Sequence, residues 1–145
     1  MSAPKAWRLE LGTRPPLSMN DRRHWTTSSK AVKQLRHLTA TRAASLGLPK
    51  NLEHISTQLV WLTPDKRRRD EDNITSTAKA AWDGLVDYGI VPDDTPTYMT
   101  KLMPRIIPHP TRGQSRCDLW VWQARRVESV PETIINQLTN RKETP

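Results

Sequence analysis

Asp70 and Asp72 stand either side of Glu71 in the run "KRRRDEDN", Lys66 to Asn73, and a second acidic pair, Asp93 and Asp94, follows further along. On an extended segment, residues two apart point the same way, so Asp70 and Asp72 would face one side and Glu71 the other. Two convergent carboxylates suit a hard divalent cation such as Mg²⁺, and Asp93 and Asp94 can supply a third ligand. Phosphodiester hydrolysis uses such a site to activate water and to neutralise charge on the scissile phosphate and the leaving oxygen. Lys66, Arg67, Arg68 and Arg69, just upstream, suit the neighbouring backbone phosphates. Lys79 is placed to support transition-state charge or to hold a bound water. A plainer reading stands beside this one. A basic–acidic run is also what a solvated loop looks like, acids favour a first helical turn, and Lys79 with Asp83 forms an exposed i,i+4 pair.

The elements that must position these residues can be read from periodicity. "AWRLELG" alternates Trp7, Leu9 and Leu11 with Arg8 and Glu10, the pattern of a half-buried strand. "TRPPLSMNDRRHW" should be irregular. From about Ser29 to Leu46, Val32, Leu35, Leu38 and Ala43 recur at helical spacing until Gly47. "ISTQLVWL" reads as a buried strand. Ile74, Ala78, Ala81, Trp82, Leu85 and Val86 then form one apolar helical stripe, with Asn73 as N-cap and Gly89 just past the end. "GIVPDD" reads as a very short strand and a turn, "TYMTKLMPRIIP" as extended but interrupted by proline, and "CDLWVWQA" as a strand. A short helix from Pro131 to about Asn140 and a frayed tail over 139–145 complete the chain. The expectation is one α+β domain over residues 1–145, with a small mixed β-sheet and about three helices.

Composition narrows the partners. The 145 residues carry a formal charge of +8, with 35% hydrophobic residues, six Trp and no Phe. That balance favours a polyanion, and nucleic acid is the default candidate. A membrane surface is disfavoured, because no stretch joins a strong apolar face to a basic one. The lone cysteine, Cys117, rules out an intrachain disulfide and fits a reducing compartment. It reads as a small core residue. His24, His37, His54 and His109 are scattered without metal-ligand spacing, which argues against zinc. No apolar leader or membrane-length run is apparent, so the expected location is cytoplasmic.

The stretch "RRRDEDNITSTAKAAWDGLVDYGIVPDDTPTYM", residues 67 to 99, resembles the signature of the RusA family of Holliday-junction resolvases. An Arg-rich lead, Asp-x-Asp-Asn, a helix with Lys and Asp-x-Leu, then Gly, a hydrophobic pair and Asp-Asp occur in order. They fall on Asp70, Asp72, Asn73, Lys79, Asp83, Leu85, Gly89, Ile90, Asp93 and Asp94. "PPLSMNDRRHW" is similar, more loosely, to the family's proline-rich, Asn-containing opening. The resemblance implies a RusA-like fold and Mg²⁺-dependent DNA cleavage, with Mn²⁺ able to substitute and no organic cofactor. It assigns catalysis to Asp70, Asp72, Asp94 and Lys79, and the metal to the three carboxylates. Lys66, Arg67, Arg68, Arg69, Asn20, Arg22, Arg23, Lys30 and Lys33 are the DNA-contact candidates. One departure concerns Lys79, which follows Asn73 by most of a helical turn more than in the family pattern, although it is in register when counted back from Asp83.

Paired symmetric nicks in a four-way junction imply a homodimer with one site per chain. RusA-like proteins are common in phages, in which case the cytoplasm is that of the bacterial host. Two further readings compete: a phage nuclease of the same fold acting on other branched DNA, and a non-catalytic basic DNA-binding protein. A nucleotide-sugar transferase, where Asp-x-Asp holds a metal–diphosphate, gives "KRRR" no clear purpose.

Overall fold

The run "ISTQLVWLT" has apolar or small residues at both odd and even positions, so a strand formed from it has two faces to cover. In a computed structural model, which describes residues 5–17, 25–123 and 132–139, it is β2 (Ile55–Thr63), inside one five-stranded mixed sheet. β5 (Arg116–Trp122) pairs antiparallel along one side of β2, and β1 (Ala6–Gly12) pairs antiparallel with β5 beyond it. Two short parallel strands share the other side. β3 (Met99–Lys101) lies opposite Ile55–Thr57, and β4 (Arg105–Pro108) opposite Val60–Thr63. Pro104 falls in the break between them, and the Gln58 amide spans it by donating to the Met103 carbonyl at 2.7 Å.

Helices α1 (Trp25–Leu46) and α2 (Thr75–Tyr88) cover one face of this sheet. Leu9, Leu11, Ile55, Leu59, Leu119 and Val121 from the strands meet Leu35, Ala43, Ala78, Ala81 and Leu85 there. The alternate residues Val60, Leu62, Trp120 and Trp122 point the other way, where α3 (Glu132–Thr139) adds Ile134 and Ile135. The expected α+β class, with a small mixed sheet and about three helices, is what the described residues form. Among the described residues no helix is long and apolar enough to cross a membrane.

Three local expectations differ from the structure. α1 begins at Trp25, ahead of Ser29. Ile90 and Val91 are fully buried but form no strand, because the carbonyls of Gly89 and Ile90 accept from Asn51 N and Leu52 N in the turn before β2. Asn73 is not the α2 N-cap. It lies in a 3-10 turn, Glu71–Ile74, that precedes α2 and hands the capping position to Ile74. At the other end the pattern holds: Gly89 takes φ 98 and closes α2 by donating to the Leu85 and Val86 carbonyls. Residues 140–145, most of the expected frayed tail, lie outside the described residues, and Thr139 ends α3.

Gly84 is where the helices touch. A Cβ there would lie 2.6 Å from the Arg36 carbonyl oxygen and 2.7 Å from the Thr39 Cβ, so α1 packs against bare backbone. Near the same crossing, Arg36 grips Asp87 with Nε and Nη2 at 2.9 and 2.7 Å. Gly84→Ala gains helix propensity worth about 1 kcal/mol, but the obstacle is backbone, which yields only by shifting a helix. The variant should lose roughly 1–3 kcal/mol net in chemical denaturation.

On the α3 face Asp118 is fully buried, with Arg116 Nε 2.8 Å from Oδ2 and Arg8 Nη1 3.6 Å from Oδ1. Burial pushes its carboxyl above the ordinary range against the pull of Arg116 and Arg8. A folded-state pKa raised above the unfolded one gives stability at low pH that is lost as pH rises through it. Asp118→Asn should therefore gain melting temperature relative to the parent as pH rises from about 4 to about 8. An unchanged difference across that range would mean Asp118 stays ionised throughout.

Candidate functional site

Asp70 is extended, at φ −95 and ψ 125, but the chain turns immediately into the 3-10 turn Glu71–Ile74. Asp72 therefore lies inside the turn, so the strand-like alternation expected to align it with Asp70 does not continue past Asp70. Asn73 N donates to the Asp70 carbonyl at 3.2 Å, and Thr75 Oγ1 to the Asp72 carbonyl at 2.8 Å, closing the turn through main-chain oxygens. Both carboxylates remain exposed. The first turns of α2 are fixed from behind by Thr77, whose buried hydroxyl donates to Leu17 O at 2.6 Å and accepts from Leu17 N at 2.9 Å. Lys79, two residues on, faces solvent.

The second acidic pair lies in the loop between α2 and β3. Asp94 N donates to Asp93 Oδ1 at 2.8 Å, a local bond that shapes the turn. Lys101, at the end of β3, donates from Nζ to Asp94 Oδ2 at 3.0 Å and stands 5.4 Å from the centroid of the Trp82 ring on α2. The Lys101 ammonium holds the Asp94 carboxyl below the ordinary carboxylate range, helped at longer reach by Lys79. Trp82, Asp94 and Lys101 thus share one neighbourhood, drawn from α2, the loop and β3. His54 fastens that loop to the sheet. The Thr97 carbonyl can only accept, so His54 Nδ1 donates to it at 3.0 Å, and Nε2 meets Thr100 Oγ1 at 2.7 Å. Sequence reasoning passed over Lys101 and weighed His54 only as a zinc ligand, since no local pattern links either to the Asp94 loop.

The basic lead divides into two parts. Arg69 is largely buried. Its Nη1 lies 2.8 Å from Asp65 Oδ1, and its guanidinium stacks 5.1 Å from the Trp61 ring centroid. Trp61 Nε1 in turn donates to Ser115 Oγ at 3.0 Å, and Ser115 Oγ donates to the Thr13 carbonyl. Arg69 therefore holds the loop to the sheet, whereas Lys66, Arg67 and Arg68 are exposed. Lys66 also lines a cleft of about 480 Å³ with Asp65, Pro108, His109 and Arg112. On α1, Lys30 and Lys33 are exposed. Asn20, Arg22 and Arg23 lie outside the described residues.

Asp70, Asp72 and Asp94 fit a hard divalent cation in donor chemistry, and Asp94 already sits against positive charge. They are not assembled as a ligand set. Among the described residues no three His, Cys, Asp or Glu converge closely enough to hold a metal ion. The chain matches no protein-family model and no curated protein.

Because Lys101 depresses the Asp94 pKa, the pair's stabilisation is present above the unfolded carboxylate value and lost as pH falls through the folded one. Lys101→Ala should move the Asp94 titration upward in carboxyl-detected NMR. It should also melt below the parent at neutral pH, by at most about 1 kcal/mol of stability, and match it in acid.

Proposed function

We propose that this chain is a Mg²⁺-dependent, structure-selective DNA endonuclease of the RusA kind, resolving four-way junctions by paired nicks as a homodimer. The observation that carries the reading is the Asp94 carboxylate held beside α2: its Oδ2 lies 3.0 Å from Lys101 Nζ, which stands 5.4 Å from the ring centroid of Trp82, on the helix that also carries Lys79. Asp94 and that helix are separate parts of the RusA-like motif. The exposed Lys66, Arg67 and Arg68 beside Asp70 add what a phosphodiester substrate needs, a basic approach next to carboxylates.

In this reading Asp70, Asp72 and Asp94 would hold Mg²⁺, which when bound supplies water activation and charge neutralisation at the scissile phosphate. Lys66, Arg67 and Arg68 neutralise flanking phosphates and set the strand's approach. Arg69 contributes indirectly, by keeping the loop seated on Trp61 and Asp65. Lys79 projects from a helix anchored through Thr77, and it stabilises the extra negative charge of the transition state. A four-way junction is pseudo-two-fold, so two copies of the chain present two such sites to opposed strands.

The second reading, a non-catalytic basic DNA-binding protein, is favoured by the lack of three converging carboxylates among the described residues. A labelled four-way junction separates the two. The endonuclease should nick it symmetrically with Mg²⁺ and not without, and should spare linear duplex of the same arms. Asp70→Asn or Asp72→Asn should lower single-turnover cleavage by at least about a thousandfold while junction affinity stays equal or rises, because negative charge facing phosphate is removed. Junction binding without any Mg²⁺-dependent nicking by the parent would select the second reading.

A further inference from the structure

We propose that Lys101 is a built-in competitor for the divalent cation, its ammonium occupying Asp94 until the cation displaces it. The inference rests on the endonuclease reading. Lys101 ends β3, whose backbone is held in register with β2, Lys101 opposite Thr57, so the side chain starts from a fixed point. Its Nζ is then held from two sides, 3.0 Å from Asp94 Oδ2 and 5.4 Å from the Trp82 ring centroid. The carboxylate side is equally constrained, by Asp93 within the turn and by His54, which ties Thr97 to Thr100.

A Mg²⁺ ion requires carboxylate oxygens at about 2.1 Å. An ammonium resting on the same oxygen would sit against that ion with like charge in a partly shielded site. One cation must leave. The Lys101 and Asp94 side chains keep 31% and 22% of their exposure, and ion pairs of that exposure are weak enough for a divalent ion to break. The pairing also gives a physical reason for the unassembled carboxylates: Asp94 is engaged with β3. Lys101 is thus a positioning residue, acting on the reaction through Asp94.

The test is titration of the full chain with Mn²⁺ alone, by calorimetry and by electron paramagnetic resonance of the free ion. The parent, Lys101→Ala, Lys101→Arg and Asp94→Asn are compared, each checked for folding by thermal melting, with Lys101→Gln replacing the alanine variant if that fails to fold. Lys101→Ala should bind Mn²⁺ roughly five- to tenfold tighter than the parent. Lys101→Arg, which keeps the charge, should stay within about twofold of the parent. Asp94→Asn should bind markedly more weakly. If Lys101→Ala is unchanged or weaker while Asp94→Asn still loses affinity, the competitor role is overturned and the endonuclease reading stands. Lys101→Arg binding as tightly as Lys101→Ala also overturns it, since charge would then not be the cause. Parent-like binding by Asp94→Asn, or no binding by either the parent or Lys101→Ala, overturns both.

Discussion

The main-chain contact of α1 with α2 at Gly84 is the constraint from which the candidate site takes its geometry. With no side chain at that position, the Arg36 carbonyl and Thr39 can approach the α2 backbone directly, and the two-toothed Arg36–Asp87 pair closes beside the crossing. α2 is then fixed along its length by α1, at its C-terminal end by Asn51 N donating to the Gly89 carbonyl, and near its start by Thr77 on Leu17. A helix held at three heights cannot slide or roll freely. Lys79 and Trp82 inherit that rigidity, which the proposed role of Lys79 would require.

The two faces of the sheet are built on different principles. The α1–α2 face is an aliphatic layer joining Leu9, Leu59 and Leu119 with Ala78, Ala81 and Leu85, small residues letting the helices lie close. Among the described residues the α3 face is covered by one short helix and relies on Trp120 and Trp122, and it encloses a carboxylate, Asp118, between Arg8 and Arg116. Removing one partner from such a buried group costs more than the intact pair contributes. α2, which carries Lys79, belongs to the α1–α2 layer.

Much of this fold is legible in the chain. Alternation marks β1 and β5, the two-sided run marks β2, and the Ile74–Leu85 stripe with Gly89 marks α2. Each is a local pattern that burial reinforces. Ile90 and Val91 misled because an apolar β-branched pair reads the same whether it is buried in a ladder or in a turn hydrogen-bonded to Asn51 and Leu52. The 3-10 turn was illegible for a related reason. Asp72 and Asn73 are good caps, but Thr75 Oγ1 and Asn73 N close the turn through main-chain oxygens instead. At the candidate site the acidic residues and exposed cations could be picked out by type. What the sequence could not say is which cation meets which acid. Arg69 meets Asp65 and Trp61, and Lys101 meets Asp94, and such partners are fixed only once β2, α2 and β3 are in place.

The chain's single cysteine bears on how the protein can be interrogated. Cys117 is fully buried in β5, and burial, with Asp118 beside it, pushes its thiol pKa up, so almost no thiolate reaches a reagent in solution. A cysteine introduced at an exposed position such as Ser45 would then be the one reactive sulfur among the described residues. Spin labels, fluorophores or photo-crosslinkers can be attached there without first mutating the native residue. Distances between labelled copies, or from a label to a bound partner, become measurable on an otherwise unaltered protein.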